Sequence, residues 1–211
     1  MSDASRASDW DERYRRGDYA TREPHRLLVR AVEEFAGDPL AKDGAPGAEA
    51  DAPRALDVAC GAGRHALFLA GRGFRVTAVD ASRVGVGLTS ARAAELGLEL
   101  DARVADLERG RFEIEPGAYD LVCDFYYLQR DLFPAMRAGV RPGGLFVAAI
   151  HMEDERPEVR PMNPDFLLAE GELRALFRRW QILHYHETGG RDTDAGRHAR
   201  RSAEIIARRA K

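Results

Sequence analysis

Cysteine is nearly missing from this chain: of 211 residues only Cys60 and Cys123 are cysteines, and neither has a second cysteine or a histidine at metal-ligand spacing. That implies no disulfide framework and gives no sign of a metal site, so both thiols read as small buried hydrophobes in a reduced, cytoplasmic protein. Long hydrophobic runs are missing too. No apolar stretch approaches the ~20 residues that span a bilayer, and the N-terminal MSDASRASDW is polar, so neither a membrane helix nor a secretory leader is expected. A surplus of one charge is also lacking. With 32 basic and 35 acidic residues the net charge is −3, which leaves no electrostatic footprint for nucleic acid or an anionic membrane. No internal repeat is visible. What remains is 45% hydrophobic and 32% charged, the composition of a soluble globular chain of one α/β domain, and a small molecule becomes the default ligand.

The chemistry concentrates between Arg54 and Ser82, RALDVACGAGRHALFLAGRGFRVTAVDAS. Ala55, Leu56, Val58 and Ala59 predict a short buried strand, after which Gly61 and Gly63 let the backbone turn sharply and admit a ligand with no side chain between. Arg64 to Ala70 predicts a helix. Phe74 to Val79 has the β-branched, apolar character of a parallel strand covered on both faces, and it ends on Asp80, whose carboxylate can accept both hydroxyls of a ribose. Gly61, Gly63 and Ala66 fit the dinucleotide pattern G-x-G-x-x-A. Two cofactor classes use such a unit, nicotinamide dinucleotides and S-adenosylmethionine.

Before it, Trp10 to Arg26 is rich in charge and aromatics, a segment outside any strand whose Trp10, Tyr14 and Tyr19 either cover a ligand or staple the segment to the body. Leu27, Leu28, Ala31, Val32 and Phe35 repeat at helical spacing within His25 to Ala36. Residues 37–53, with three prolines and three glycines, read as a flexible linker. After it, a helix over Ser82 to Leu96 has Ser82 as N-cap, weakened by Gly85 and Gly87. Strands are predicted over Leu98 to Ala105, Tyr119 to Phe125, Leu145 to Ile150, Gln181 to His186 and Ala203 to Ala207, with helices over Gln129 to Gly139 and Glu170 to Arg179. Pro142-Gly143-Gly144 is a turn, Gly189 to Gly196 a hairpin loop, and the C-terminal arginines solvated positions on an edge strand. Open α/β sheets bind ligands beyond the carboxyl ends of their strands, which gathers Asp57, Gly61, Gly63, Asp80, Asp106 and Asp124 at one edge. Asp106 there either receives an adenine amino group or serves as a turn residue.

Asp57 stands inside the first strand, four positions before Gly61, and dehydrogenases do not need that acid. With D-V-A-C-G-A-G, Tyr119-Asp120-Leu121-Val122 and Arg141-Pro142-Gly143-Gly144-Leu145, the chain resembles the class I S-adenosylmethionine-dependent methyltransferases. Ala59 stands where their pattern often has glycine, a small-for-small exchange expected to do little harm. W-D-E-R-Y, Tyr126 to Pro134 and Asn163 to Leu173 are most similar to the small bacterial tellurite-resistance and thiopurine methyltransferase-like group. The resemblance implies a single Rossmann-like, doubly wound sheet of seven strands, mostly parallel with the last antiparallel, and an N-terminal lid within residues 1–26. It implies that Asp57 with Gly61 and Gly63 holds the methionine moiety of S-adenosylmethionine, Asp80 the ribose, Asp106 and Leu107 the adenine, and that Asp124 borders the methionine amino group. Trp10, Arg13 and Tyr14 match the lid, and Arg64 contacts the cofactor carboxylate or caps a salt bridge.

Methyl transfer from a sulfonium is an in-line displacement with a good leaving group, so the protein chiefly aligns the nucleophile and excludes water. For an acceptor that must lose a proton, His151, Tyr126, Tyr127 and His25 are the candidate bases or orienting groups. The expected function is methylation of a small-molecule O, N, S or chalcogen nucleophile by a cytoplasmic monomer or homodimer, with no metal, nucleic acid or membrane partner. A nicotinamide-dependent oxidoreductase and a non-catalytic cofactor-binding module are the alternatives.

Overall fold

The computed structural model describes residues 3–18, 21–36, 52–108, 111–156, 159, 161–189 and 200–211. Most of the expected linker over residues 37–53, Tyr19 and the bulk of the loop before the last strand lie outside them. Among the described residues seven strands, β1 (Arg54–Val58), β2 (Arg75–Asp80), β3 (Asp101–Val104), β4 (Tyr119–Phe125), β5 (Val140–His151), β6 (Gln181–Glu187) and β7 (Ser202–Arg208), take the order β3-β2-β1-β4-β5-β7-β6. The chain divides into two compact units, Met1–Pro24 with Gly37–Glu113, and His25–Ala36 with Ile114–Lys211. Among the described residues no helix is long and apolar enough to cross a membrane, and no cluster of His, Cys, Asp and Glu has the makings of a metal site.

In the first unit α1 (Asp3–Arg15) precedes β1 (Arg54–Val58), α3 (Arg64–Gly71), β2 (Arg75–Asp80), α4 (Arg83–Leu96) and β3 (Asp101–Val104). β1 pairs parallel with β2, and β2 with β3. The apolar positions read from the sequence are the core: Ala55, Leu56, Val58, Ala78 and Val79 are fully buried, as parallel strands covered on both faces require. Ser82 caps α4 as expected, its hydroxyl accepting the Gly85 amide at 2.9 Å, and Gly97 closes the helix in the left-handed conformation. β3 is shorter than the expected 98–105 and mostly exposed. Leu98 goes instead to the end of α4, its amide bonding the Ala93 carbonyl.

The second unit holds α2 (Arg26–Arg30), continued by a π-helical turn over Ala31–Ala36, then β4 (Tyr119–Phe125), α5 (Phe133–Gly139), β5 (Val140–His151), α6 (Glu172–Leu176), β6 (Gln181–Glu187) and β7 (Ser202–Arg208). Phe133, Phe146 and Phe177 pack together fully buried, the last two stacked at 4.5 Å between centroids. Each such ring stabilises the fold by about 1.5–3 kcal/mol through burial. The expected helix over 129–139 begins as a 3₁₀ turn over Arg130–Leu132, because Pro134 has no amide for a regular helix, and the 170–179 helix is only five residues long. The Pro142-Gly143-Gly144 segment bulges out of β5: Tyr119 pairs with Val140 but Leu121 with Leu145, and Gly143 turns at φ +82°.

β7 corrects the expectation of an edge strand. It lies between β5 and β6, antiparallel to both, and six of its seven residues are buried. The C-terminal arginines are accordingly engaged with backbone: Arg208 donates to the Phe35 carbonyl at 2.9 Å and Arg209 to those of Ala138 and Val140.

Candidate functional site

The turn after β1 is built by the residues that the sequence brings to it from β2 and α4. The Cys60 amide bonds the Val79 carbonyl at 3.0 Å, extending the β1–β2 ladder by one step. The chain then passes through Ala59 at φ +54°, Gly61 at +55° and Gly63 at +83°. The Gly61 amide donates to Asp80 Oδ2 at 2.8 Å, its carbonyl accepts from Thr89 Oγ1 at 3.0 Å, and the Ala62 carbonyl accepts from Arg92 at 2.8 Å. The turn is thus pinned by three hydrogen bonds. A Cβ on Gly63 would meet Thr89 at 2.6–2.9 Å, and one on Gly61 would overlap the Tyr14 hydroxyl, so a side chain at either position would force a neighbour to move.

Ala59 is not the harmless exchange expected from its size. An alanine in the left-handed region carries roughly 1–2 kcal/mol of strain, of which glycine's greater freedom in the unfolded chain takes back about 0.5–1. Ala59→Gly is expected to stabilise the protein by up to about 1 kcal/mol. A denaturant midpoint unchanged or lower in the variant would contradict this reading of the turn.

Asp80 ends β2, nearly buried, with Oδ1 accepting the Ser82 amide at 2.7 Å and Oδ2 the Gly61 amide. Burial pushes its pKa above the ordinary carboxylate value against the pull of those two amides and that of Ala81, and the nearby charge of Asp11 adds to the rise. With about four acceptor positions in all, the carboxylate keeps room for a ribose hydroxyl. Asp57 is buried in β1, one residue before its end. Burial, with the charges of Asp57 and Asp80 behind it, holds the Cys60 thiol well above its usual value, so it stays protonated and is no nucleophile. Beyond β3, Asp106 accepts the Glu108 amide at 2.9 Å and an ion pair from Arg111 at 2.7 Å, and Leu107 is buried beside it.

The three expected lid residues lie together on α1. Tyr14 packs against Gly61 and Gly85, Trp10 stacks on Tyr14 at 6.0 Å between centroids, and the Arg13 guanidinium sits 4.8 Å from the Trp10 ring centre. Arg64, the first residue of α3, lines a groove of about 220 Å³ with Arg22, Phe68, Arg92 and Leu96. Sequence reasoning missed Asp11, Thr89 and Arg92, which bond to positions far away in the chain. It also read Gly85 as a weak point of α4. Gly85 is needed, because a Cβ there would come within 2.9 Å of the Gly61 carbonyl and 3.1 Å of Tyr14.

In the second unit Asp124 is buried in β4, and a cluster of rings follows it. Tyr126 takes φ +65°, rare for a bulky residue, and stacks on His151 at 4.7 Å; Tyr127 beside it is half-buried. His151 is the last residue of β5 and is buried. His25 caps α2 by accepting the Leu27 amide on Nδ1 at 3.1 Å, while its ring lies 5.0 Å from Phe125 and 5.8 Å from Tyr126. With Nδ1 so used, a neutral His25 carries its proton on Nε2.

Several known proteins are similar to this chain. Hemagglutinin 1 of Eikenella corrodens is 34% identical over 143 residues, 65% of this chain and 47% of that protein. A probable S-adenosyl-L-methionine-dependent methyltransferase TehB of Haemophilus influenzae is 26% identical over 169 residues, 74% of this chain and 57% of that one. The chain thus spans about half the length of these curated relatives. The crystal structure of TehB from Haemophilus influenzae superposes with a TM-score of 0.69 at 21% identity, over 94% of this chain and 67% of that one, which shows the fold. The model of the tellurite resistance protein TehB family matches residues 48–202, from before β1 to the start of β7, and the chain belongs to that family.

Proposed function

We propose that this protein is an S-adenosyl-L-methionine-dependent methyltransferase acting on a small-molecule O, N, S or chalcogen nucleophile. The observation that carries the reading is the glycine turn clamped to Asp80, with Asp57 in the strand before it. Its support from relatives is the family membership and the methyltransferase name of the Haemophilus influenzae protein. S-Adenosylmethionine supplies, when bound, a methyl group on a sulfonium that is already a good leaving group. The chain's own work is then alignment and exclusion of water. Asp57 with the turn backbone holds the methionine moiety, Asp80 the ribose through its remaining lone pairs, and Asp106 with Leu107 the adenine. Trp10, Arg13 and Tyr14 form the cover, Arg64 takes the cofactor carboxylate, and Asp124 borders the amino group.

On the acceptor side, His151, with Tyr126 stacked on it, Tyr127 and His25 serve as base or orient an acceptor that must lose a proton. The setting is cytoplasmic, consistent with two buried thiols, and the chain works as one methyltransferase domain, monomeric or homodimeric. Incubation with methyl-labelled S-adenosylmethionine and a panel of thiols, phenols, amines and chalcogen oxyanions tests the reading. Label is expected in at least one acceptor, with S-adenosylhomocysteine as the other product. Binding of NADH with no label transfer to any acceptor would favour the oxidoreductase, and cofactor binding without turnover a regulatory module.

A further inference from the structure

We infer that Asp11 is a positioning residue, a latch that fixes α1 to the N-terminus of α4 and so holds Tyr14 over the glycine turn. The inference rests on the reading that this turn takes the cofactor. Asp11 Oδ1 accepts both the Ser82 hydroxyl and the Val84 amide, the latter at 3.1 Å. The Val84 amide belongs to the first turn of α4, where a helix leaves its N–H groups without partners of its own and favours an anion. Ser82 is already committed on its other atoms, its oxygen accepting the Gly85 amide and its own amide donating to Asp80. The result is a continuous run of hydrogen bonds from Asp11 through Ser82 and Asp80 to the Gly61 amide. Tyr14 follows Asp11 by three residues, close to one helical turn, and sits against Gly61 and Gly85 at the other end of that run.

The charge of Asp11 suits the role. Burial raises its pKa, but the bonds from Ser82 and Val84 and the nearby Arg15 and Arg83 outweigh that, leaving it below the ordinary carboxylate value and ionised at neutral pH. Asp80 is the other titratable group facing it, and the coupling between the two carboxylates is unfavourable. An acid that close to Asp80 is tolerated because α4's first turn and two arginines meet it.

The test uses the full chain, S-adenosylhomocysteine as probe, and two variants. Asp11→Ala removes both acceptor bonds, and Asp11→Asn keeps an oxygen for the Ser82 hydroxyl and the Val84 amide. Calorimetry is expected to show binding weakened about tenfold in Asp11→Ala and within about threefold of wild type in Asp11→Asn. Limited proteolysis without ligand is expected to cut within residues 1–18 faster in Asp11→Ala only, while the denaturant midpoint of the remaining core changes little. If the wild type itself fails to bind, the cofactor reading falls, but the proteolysis arm still decides the latch. Equal cleavage of all three proteins, or wild-type affinity in Asp11→Ala, would overturn it. Equal loss in both variants would also overturn it, since charge alone and not the shared oxygen would then hold α1.

Discussion

Replacing Asp80 by alanine is expected to weaken S-adenosylhomocysteine binding tenfold or more and also to lower the stability of the fold, by about 2–4 kcal/mol. The sequence alone suggests only the first effect, since an acid after the second strand reads as a ribose ligand. The structure adds that Gly61 and Ser82 both donate their amides to this carboxylate in a nearly closed site. Losing an acceptor for two buried amides costs about 1.5–3 kcal/mol each, offset in part because the ionised carboxylate no longer has to be buried. Asp80→Asn keeps one acceptor oxygen and is expected to fall between. The pH dependence has a definite sign. With its native pKa above the unfolded value, Asp80 contributes most to stability in acid and loses that contribution as pH rises through the native pKa. The stability gap between wild type and Asp80→Asn therefore narrows as pH rises above the ordinary carboxylate range, as urea titrations at a series of pH values would record. A gap that widened would contradict the raised pKa.

Gly63→Ala has the second large expected effect. Its φ of +83° costs an alanine roughly 1–2 kcal/mol, and the new methyl would lie 2.6 Å from Thr89 Oγ1, 2.7 Å from Cγ2 and 2.9 Å from Cβ. Thr89 is buried and cannot swing aside without giving up its bonds to the Gly61 and Gly85 carbonyls. Overpacking of that kind adds about 1–3 kcal/mol, so the variant should lose about 2–5 kcal/mol in all, along with cofactor affinity. Gly97→Ala is the control, because Gly97 has a similar φ of +66° with nothing within 4 Å of a new Cβ. It should show the strain alone. Equal losses in the two variants would mean that contact with Thr89 does not shape the turn.

The parts of the fold that could be read from the chain are those written locally. The apolar run into Asp57, the two glycines, the second strand ending on Asp80 and the Ser82 cap lie within 29 residues, each announced by its own residue type, and all stand where expected. The errors fall where position depends on partners distant in sequence. β7 looked like an edge because arginines flank it, yet its place between β5 and β6 is set by strand order, which local pattern does not encode. Asp11 meets Ser82 across 71 positions, and nothing in W-D-E-R-Y distinguishes the latching acid from its neighbours. Ala59 shows the same limit at the smallest scale, since its size is visible in the sequence and its left-handed backbone is not. The ring cluster was half legible: His151, Tyr126 and His25 each stood out singly, but the stack of Tyr126 on His151 and the capping bond that fixes the His25 tautomer are products of packing.

The central claim is that the turn between β1 and α3 holds S-adenosylmethionine, and calorimetric titration of the full chain with S-adenosylhomocysteine, set beside the same titration with NADH, tests it most directly. Saturable binding of S-adenosylhomocysteine that weakens tenfold or more in Asp80→Ala, with no heat from NADH, is the result this account predicts. Binding of NADH in preference, or S-adenosylhomocysteine binding that survives Asp80→Ala unchanged, would contradict it.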